Sequence, residues 1–461
     1  MKRLASTRGV WRVGLICLVL LTSGALCRNS GQQPDTFTLK YWTVYTSSDD
    51  IQPVIAAFQA KYPYVLIETK TFRQEEYEDK LIEAWAQGKG PDIFSLPNSH
   101  IGAFKKLIAP IPSTLKMTSV TVKESLGRKE TVVTPENVKG LSAQEVTKLF
   151  PQVVYDDVVK TNDAGSAKIY GLPMSLDTLV LYYNKQLLDA ANIALPAATW
   201  DDFVKQVPEL TLKDVNDNIL QSGAALGTSE NVPRMFDIVS LLMMQNGATM
   251  TEGDSVQFAD QKSREDDTQP GVEAVDFYTS FANPAVDWYS WNADQPDGLE
   301  AFISGKTAYF LGYYYQLKAI QDRGGQLDFG IAPVPQVTVD SQSATNFANY
   351  WVESVSVNSK HQDAAWAFIQ ALTSNEANVK AILTANPKPT ALRSLLDDQK
   401  EDFTLAVFAN QVLSAQSWYA GKDPVEAEQA FTDMIDAIND GRLDSNTAVS
   451  NTADKITLTY E

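Results

Sequence analysis

Two histidines, two cysteines and 57 acidic side chains are the stock from which any covalent chemistry in this 461-residue chain would be drawn. They are not arranged for it. No spacing of His, Cys and carboxylate matches a metal site, and neither a G-x-S-x-G elbow nor a phosphate-binding glycine loop occurs. "DVNDN" (214–218) opens like a calcium loop, but Ile219 stands where the loop needs Gly and Ala225 where it needs a bidentate Glu. A glycosidase would need two carboxylates at a separation set by the fold, and nothing in the linear order singles out a pair. His361 opens a predicted helix, where a solvated first-turn residue is expected.

The aromatic residues are better placed. Nine Trp and 18 Tyr fall repeatedly where strands are predicted to end: Trp42 and Tyr45, Tyr313 to Tyr315, Tyr350-Trp351, Trp418-Tyr419. Open α/β sheets bind ligands beyond the carboxyl ends of their strands. Aromatic faces there suit the apolar faces of a sugar ring, with neighbouring polar groups fixing its hydroxyls. Core packing is the competing use of such side chains and is expected for Trp42 and Trp85. Tyr314 and Trp351, each beside a strand end with little apolar sequence around it, are expected at a site.

The elements that would position these residues alternate. "FTLKYWTVYT" has the β-branched and aromatic content of a strand. Asp49-Asp50 can cap the helix that follows, in which Ile51, Val54, Ile55 and Phe58 fall at helical spacing until Tyr62-Pro63. "YVLIETKTF" is a second strand, a helix carrying Tyr77, Leu81 and Trp85 follows, and "GKGPDIFSLPN" makes a turn and a third strand. This alternation predicts a parallel or mixed α/β sheet. Residues 113–168 are less regular: 118–134 are polar and β-branched, and 136–160 are expected to be helical. Alternation then resumes through "YGLPMSLDTLVLYYNKQLL" (170–188), a helix capped by Thr199-x-x-Asp202, "LEAFISGKTAYFLGYYY", "LDFGIAPVPQ" and "WVESVSVNS". The C-terminal part is mainly helical, including a helix whose expected cap is Thr373-x-x-Glu376.

The composition is that of a globular chain, 44% apolar and 21% charged. Its first 27 residues differ. Lys2, Arg3, Arg8 and Arg12 precede a short apolar core and small residues, the pattern of a secretory leader. Cys27, at its end, is the candidate acceptor of a lipid. An ordinary cleavage after Ala25 and an uncleaved anchor are the other readings. With only Cys17 and Cys27 present, the exported part keeps at most one cysteine and has no internal disulfide. Net charge is −19; removing residues 1–26, which carry four basic and no acidic side chains, leaves −23. Such a balance points away from nucleic acid, whose phosphates need a basic face.

At this point the residues resemble a family: the extracellular solute-binding proteins of ABC importers, in the sugar-binding group that includes maltose-binding protein. "LKYWTVY", "VIAAFQAKYPYVLIE", "GPDIFSL", "LIAPI", "PAATWDDF", "AFISGKTAYFLGYY", "SVSVNSKHQDAAWAFIQALTS" and "NPKPTALRSLL" occur in the family's order from about residue 36 onward. Pro173-Met174-Ser175, then Val180-Leu181-Tyr182-Tyr183-Asn184 and Leu188, are similar to its signature, with Ala190 where a polar residue is preferred.

The resemblance implies a two-lobed periplasmic-binding-protein-like α/β fold of type II, with mixed sheets, flanking helices and a helical C-terminus. It implies a leader over 1–27, a linker over 28–35, one lobe from 36–173 and 352–400, and another from 174–351 and 401–461. Crossings between lobes are expected at the signature and near residues 351–354. The implied function is capture of a sugar or oligosaccharide in an interlobe cleft by hinge closure, and delivery to ABC permease subunits by a monomer, without a cofactor or covalent chemistry. Another solute (glycerol phosphate, a polyamine, a peptide), a surface carbohydrate-active enzyme or a sensor are the alternatives.

The implied cleft residues are Tyr45, Thr46 and Ser47 at the end of the first strand, Asn98 and Ser99 after the third, Asp177 at the first crossing, Asn231 and Arg234 before a second-lobe helix, and Tyr314, Trp351 and Trp418. Asp177 has two readings: acceptor of two sugar hydroxyls, or partner of local backbone amides.

Overall fold

The computed structural model describes residues 34–461 except 126–127, 163, 262–266 and 339–343. The leader and Cys27 lie outside the described residues. Among the described residues, no helix is long and apolar enough to cross a membrane.

Strand Phe37–Thr43 buries Leu39, Tyr41 and Thr43, the alternate residues that face the core. It pairs in parallel with Val65–Thr71 on one side and Ile93–Pro97 on the other. Trp351–Val355 returns antiparallel beside Ile93–Pro97, and Leu172–Pro173 completes a five-stranded sheet. Helix Ser48–Lys61 closes the first crossover and buries Ile51, Val54, Ile55 and Phe58 at the predicted spacing. Its cap is Ser47 rather than the aspartates. The Ser47 hydroxyl accepts from Asp50 N–H at 3.2 Å, and the Asp50 carboxylate accepts from Ser47 N–H at 3.0 Å.

A second five-stranded sheet has the order Leu212–Lys213, Ile219–Ala224, Thr307–Gly312, Val180–Asn184, Phe329–Pro333. Thr307–Gly312 is central and buried along its whole length. "DVNDN" is the turn joining the first two strands: the Asp214 carboxylate accepts from the Asn216 and Asn218 amides, and Asp217 takes the left-handed conformation at φ 63°.

Between the two sheets lies a three-stranded one, Ala415–Gln416, Asn346–Asn349 and Asp177–Thr178, so three chain segments cross. Trp351–Val355 already belongs to the first sheet. Packing follows the same division. One core gathers residues of 39–176, 348–396 and 409–415, and another those of 179–347 and 418–456. Residues 405–416 touch both sides: Phe408 packs with Val180 and Leu317, while Ala409 and Val412 join the first core.

Residues 113–168 depart from expectation. Thr114–Ser125 and Arg128–Lys139 form a long antiparallel ribbon, so the predicted helix over 136–160 is not one element. Gly140 and Pro151 punctuate it. A Cβ at Gly140 would lie 1.9 Å from the Pro112 carbonyl oxygen, and Pro151 separates helix Ala143–Leu149 from helix Gln152–Val158. The cap of helix Glu376–Ala385 is Asn375, two residues beyond the expected Thr373. His361 is half-buried and stacks on Phe37 at 3.7 Å rather than standing in solvent.

Candidate functional site

The two sheets present strand ends to a shared cavity of about 420 Å³ beside the crossing strands. Tyr45, Thr46, Asp177, Arg234, Tyr314 and Trp351 line it, six of the residues singled out in the sequence. Ser99 lines an adjoining hollow of about 220 Å³, which shares Gln74, Arg234, Asn349 and Trp351 with the first.

Aromatic rings from both sides meet here. The Tyr45 ring stands edge-on to Trp351 at 5.5 Å and lies 6.1 Å from Tyr315, which comes from the other lobe. Trp351 is backed by Tyr77 at 5.9 Å, and the Tyr45 hydroxyl donates to Gln74 Oε1. Tyr314 and Tyr315 are the first residues of helix Tyr314–Arg323, so their amides have no partner within the helix. Both donate to Asp177: Tyr314 N–H to Oδ1 at 3.1 Å and Tyr315 N–H to Oδ2 at 3.2 Å, with Thr178 N–H on Oδ1 at 2.9 Å. Asp177 thus uses its carboxylate on backbone amides at the cavity edge. Burial pushes its pKa up to about 7, against the pull of these three donors. The Tyr314 hydroxyl donates to the Pro387 carbonyl at 2.8 Å, joining the two lobes at the rim.

Each cation lining the cavity already has a partner: a carboxylate for Arg234 and Lys318, a backbone carbonyl for Lys388. Arg234, in the left-handed conformation at φ 60°, makes a bidentate pair with buried Asp237 at 2.9 and 2.7 Å and has Glu428 at 3.6 Å. Asp237 also accepts from the Tyr313 hydroxyl at 2.7 Å and from Asn349 Nδ2 at 3.1 Å. Lys388 donates to the Tyr45 carbonyl at 2.8 Å. Burial lowers its pKa, opposed by Asp50 and Glu353. Lys318 pairs with Asp322 at 2.7 Å. Glu353 is buried in the cavity floor on Ser95 Oγ at 2.7 Å, and burial pushes it up to about 7.

The remaining candidates are committed elsewhere. Ser47 is the helix cap described above. Asn98 is buried on Asp157 at 2.9 Å. Asn231 braces its loop, donating to the Asn292 and Gln295 carbonyls at 2.9 Å and accepting from Trp291 Nε1 at 3.0 Å. Trp418 is core, stacked on Phe236 at 5.6 Å with its indole N–H on Ser240 at 2.9 Å.

Tyr315, Gln74, Asn349, Glu353, Asp50 and Lys388 line the cavity although the expected cleft residues do not include them. Tyr315 carried a signal, as the third member of the "GYYY" run. Lys388 carried none, since its partner Tyr45 is 343 positions away. Among the described residues no group of three or more His, Cys, Asp or Glu is placed to hold a metal. What the cavity offers is aromatic surface with fixed donors and acceptors, suited to holding a molecule between two lobes.

That is a two-lobed binding architecture. The model of the bacterial extracellular solute-binding proteins matches residues 54–406, and the chain belongs to that family. It is 22% identical to a maltooligosaccharide ABC transporter solute-binding lipoprotein of Streptococcus pneumoniae, over 97% of this chain and 96% of the relative. It is 21% identical to a galactooligosaccharide-binding protein of Bacillus subtilis, over 78% and 74%. A crystal structure of a cyclo/maltodextrin-binding protein complexed with maltotetraose superposes with a TM-score of 0.67 at 18% identity, covering 93% of this chain and 98% of that one. At that identity the superposition establishes the fold.

Proposed function

We propose that this chain captures a neutral sugar or oligosaccharide between its lobes and hands it to the membrane subunits of an ABC importer, without covalent chemistry. The observation that carries this reading is the cavity wall, where Tyr45, Tyr315 and Trp351 gather from both lobes, while Arg234 and Lys318 are paired with carboxylates and Lys388 is spent on the Tyr45 carbonyl. Aromatic faces take the C–H faces of a pyranose, and half-buried charged groups make strong hydrogen bonds to hydroxyls. A phosphate would call for an uncompensated Arg or Lys, and a polyamine for uncompensated acids. The oligosaccharide names of the two relatives support the same choice.

In this reading the crossing strands at 177–178, 346–349 and 415–416 form the hinge. The expected lobe changes at 173/174 and 351/352 are kept, and the third moves from 400/401 to the crossing at 415–416. Ligand affinity supplies the free energy of closure, as a shift between open and closed populations. The protein acts as a monomer, held at the cell surface by a lipid on Cys27 or an uncleaved leader.

A thermal-shift screen tests this, with malto- and galacto-oligosaccharides, glycerol 3-phosphate and spermidine as probes. A ligand at about 100 times its dissociation constant adds roughly 2.7 kcal/mol to stability. A rise confined to one saccharide series is expected. A rise with glycerol 3-phosphate or spermidine alone would overturn the sugar assignment.

A further inference from the structure

The irregular stretch after the third strand contains a buried acid that the cavity does not use. Asp157 sits in helix Gln152–Val158, buried, and is absent from the cavity lining. Its Oδ2 accepts from the Tyr350 hydroxyl at 2.6 Å and from Asn98 Nδ2 at 2.9 Å, and its Oδ1 accepts from Ser417 Oγ at 2.5 Å. These partners are not neighbours in sequence. Tyr350 directly follows the crossing strand Asn346–Asn349, and Ser417 directly follows the crossing strand Ala415–Gln416. Asn98 reinforces the first tie, since its own N–H donates to the Tyr350 carbonyl at 2.9 Å. One carboxylate rooted in the first lobe therefore holds two of the three crossing segments at the points where they leave the bridging sheet.

We propose that Asp157 is a positioning residue for ligand capture: a hinge pin that fixes the second and third crossings against the first lobe and so sets the balance between open and closed forms. An ionised acceptor makes stronger bonds than a neutral one, and a buried one gains further from its low-dielectric surroundings. Because the two crossings share one acceptor group, loosening either bond frees the carboxylate for the other. The crossings are thereby coupled through a carboxylate that does not itself line the cavity. The effect on affinity rests on the closing-cleft reading above; the effect on the crossings does not.

Hydrogen–deuterium exchange of the ligand-free full chain tests the pin, comparing wild type with Asp157→Asn, Ser417→Ala and Tyr350→Phe. Losing a charge-assisted bond corresponds to about tenfold faster local opening. Asp157→Asn should speed exchange by about that much in both 346–350 and 415–417. Ser417→Ala should speed it most in 415–417, and Tyr350→Phe most in 346–350. A merely structural role would speed exchange in these segments and lower the melting temperature while leaving saccharide affinity unchanged. If Asp157→Asn does not fold, the two milder variants carry the test. Maltotetraose titration adds the second readout, with affinity expected to change at least about threefold in Ser417→Ala, which keeps every cavity residue. Unchanged exchange at both crossings in the folded variants overturns the pin. Maltotetraose failing to bind the wild type would count against the sugar reading, and the exchange result would still decide the pin.

Discussion

The turns "GYYY" (312–315) and "SWYAG" (417–421) look alike in sequence, each a small residue and an aromatic run after a strand. Their side chains go opposite ways. After Gly312 a helix begins at once, so successive tyrosines diverge by about 100°. Tyr313 turns into the core on Asp237, Tyr314 reaches the Pro387 carbonyl at the rim, and Tyr315, 47% exposed, faces Tyr45 across the cavity. After Gln416 the chain has no such helix start. It runs under helix Pro424–Asn439, where Phe236, Phe258 and Phe431 enclose Trp418 and Tyr460 covers Tyr419. Aromatic clustering at a strand end therefore marks a binding wall only where the following backbone turns a ring back into the cleft.

The largest effect that could break this contrast is on the core side. Trp418→Ala should cost about 3–5 kcal/mol of stability in chemical denaturation, the range for truncating a buried aromatic, with saccharide affinity of the folded molecules unchanged. Loss of affinity at wild-type stability would return Trp418 to the cleft.

A comparable effect belongs to the cavity floor. Burial raises Glu353 in the folded state to about 7, above its unfolded value, so the folded protein holds the proton more tightly. That stability is present in full below about pH 4.5 and lost as pH rises through about 7. Relative to Glu353→Gln, the wild type should lose up to about 3 kcal/mol over this window, measured by urea denaturation at a series of pH values. A flat difference would mean that the carboxyl is solvated.

Tyr315→Ala comes next, with an expected loss of about 1–2 kcal/mol in saccharide binding by calorimetry and a change in melting temperature smaller than that of Trp418→Ala. The smallest effect is at Ser47: replacing it by Ala should cost about 1 kcal/mol of stability through the lost cap and leave affinity alone, sharpening the line between cleft and scaffold on the same stretch as Tyr45 and Thr46.

Much of the fold was legible because it rests on local periodicity. Ile51, Val54, Ile55 and Phe58 announce their helix, and the aromatic and β-branched content of the first strand announces it. Caps were misjudged by a residue or two where several short polar side chains compete, as with Ser47 against Asp49-Asp50 and Asn375 against Thr373. The ribbon within 113–168 was not assigned: 118–134 was read only as polar and β-branched, and the second strand contains Pro135, Glu136 and Asn137, poor strand formers that pairing with 116–118 overrides. In the candidate site, aromatic residues attached to strand ends, such as Tyr45 and Trp351, could be read from position, and Asp177 only through the family resemblance. Lys388 and Glu353 could not, because only tertiary packing brings them beside Tyr45 and Ser95. Asn98 and Trp418 show the converse: sequence marks a polar or aromatic side chain at a strand end, yet a buried partner supplied by a distant segment, Asp157 or Ser240, decides its use.

Capture by closure is tested most directly by small-angle X-ray scattering of the full chain with and without a saturating saccharide that raises its melting temperature. A smaller radius of gyration on binding, reached by Tyr315→Ala only at about 5- to 30-fold higher saccharide concentration, is the predicted result. A saturated protein with unchanged dimensions would contradict hinge closure around this cavity.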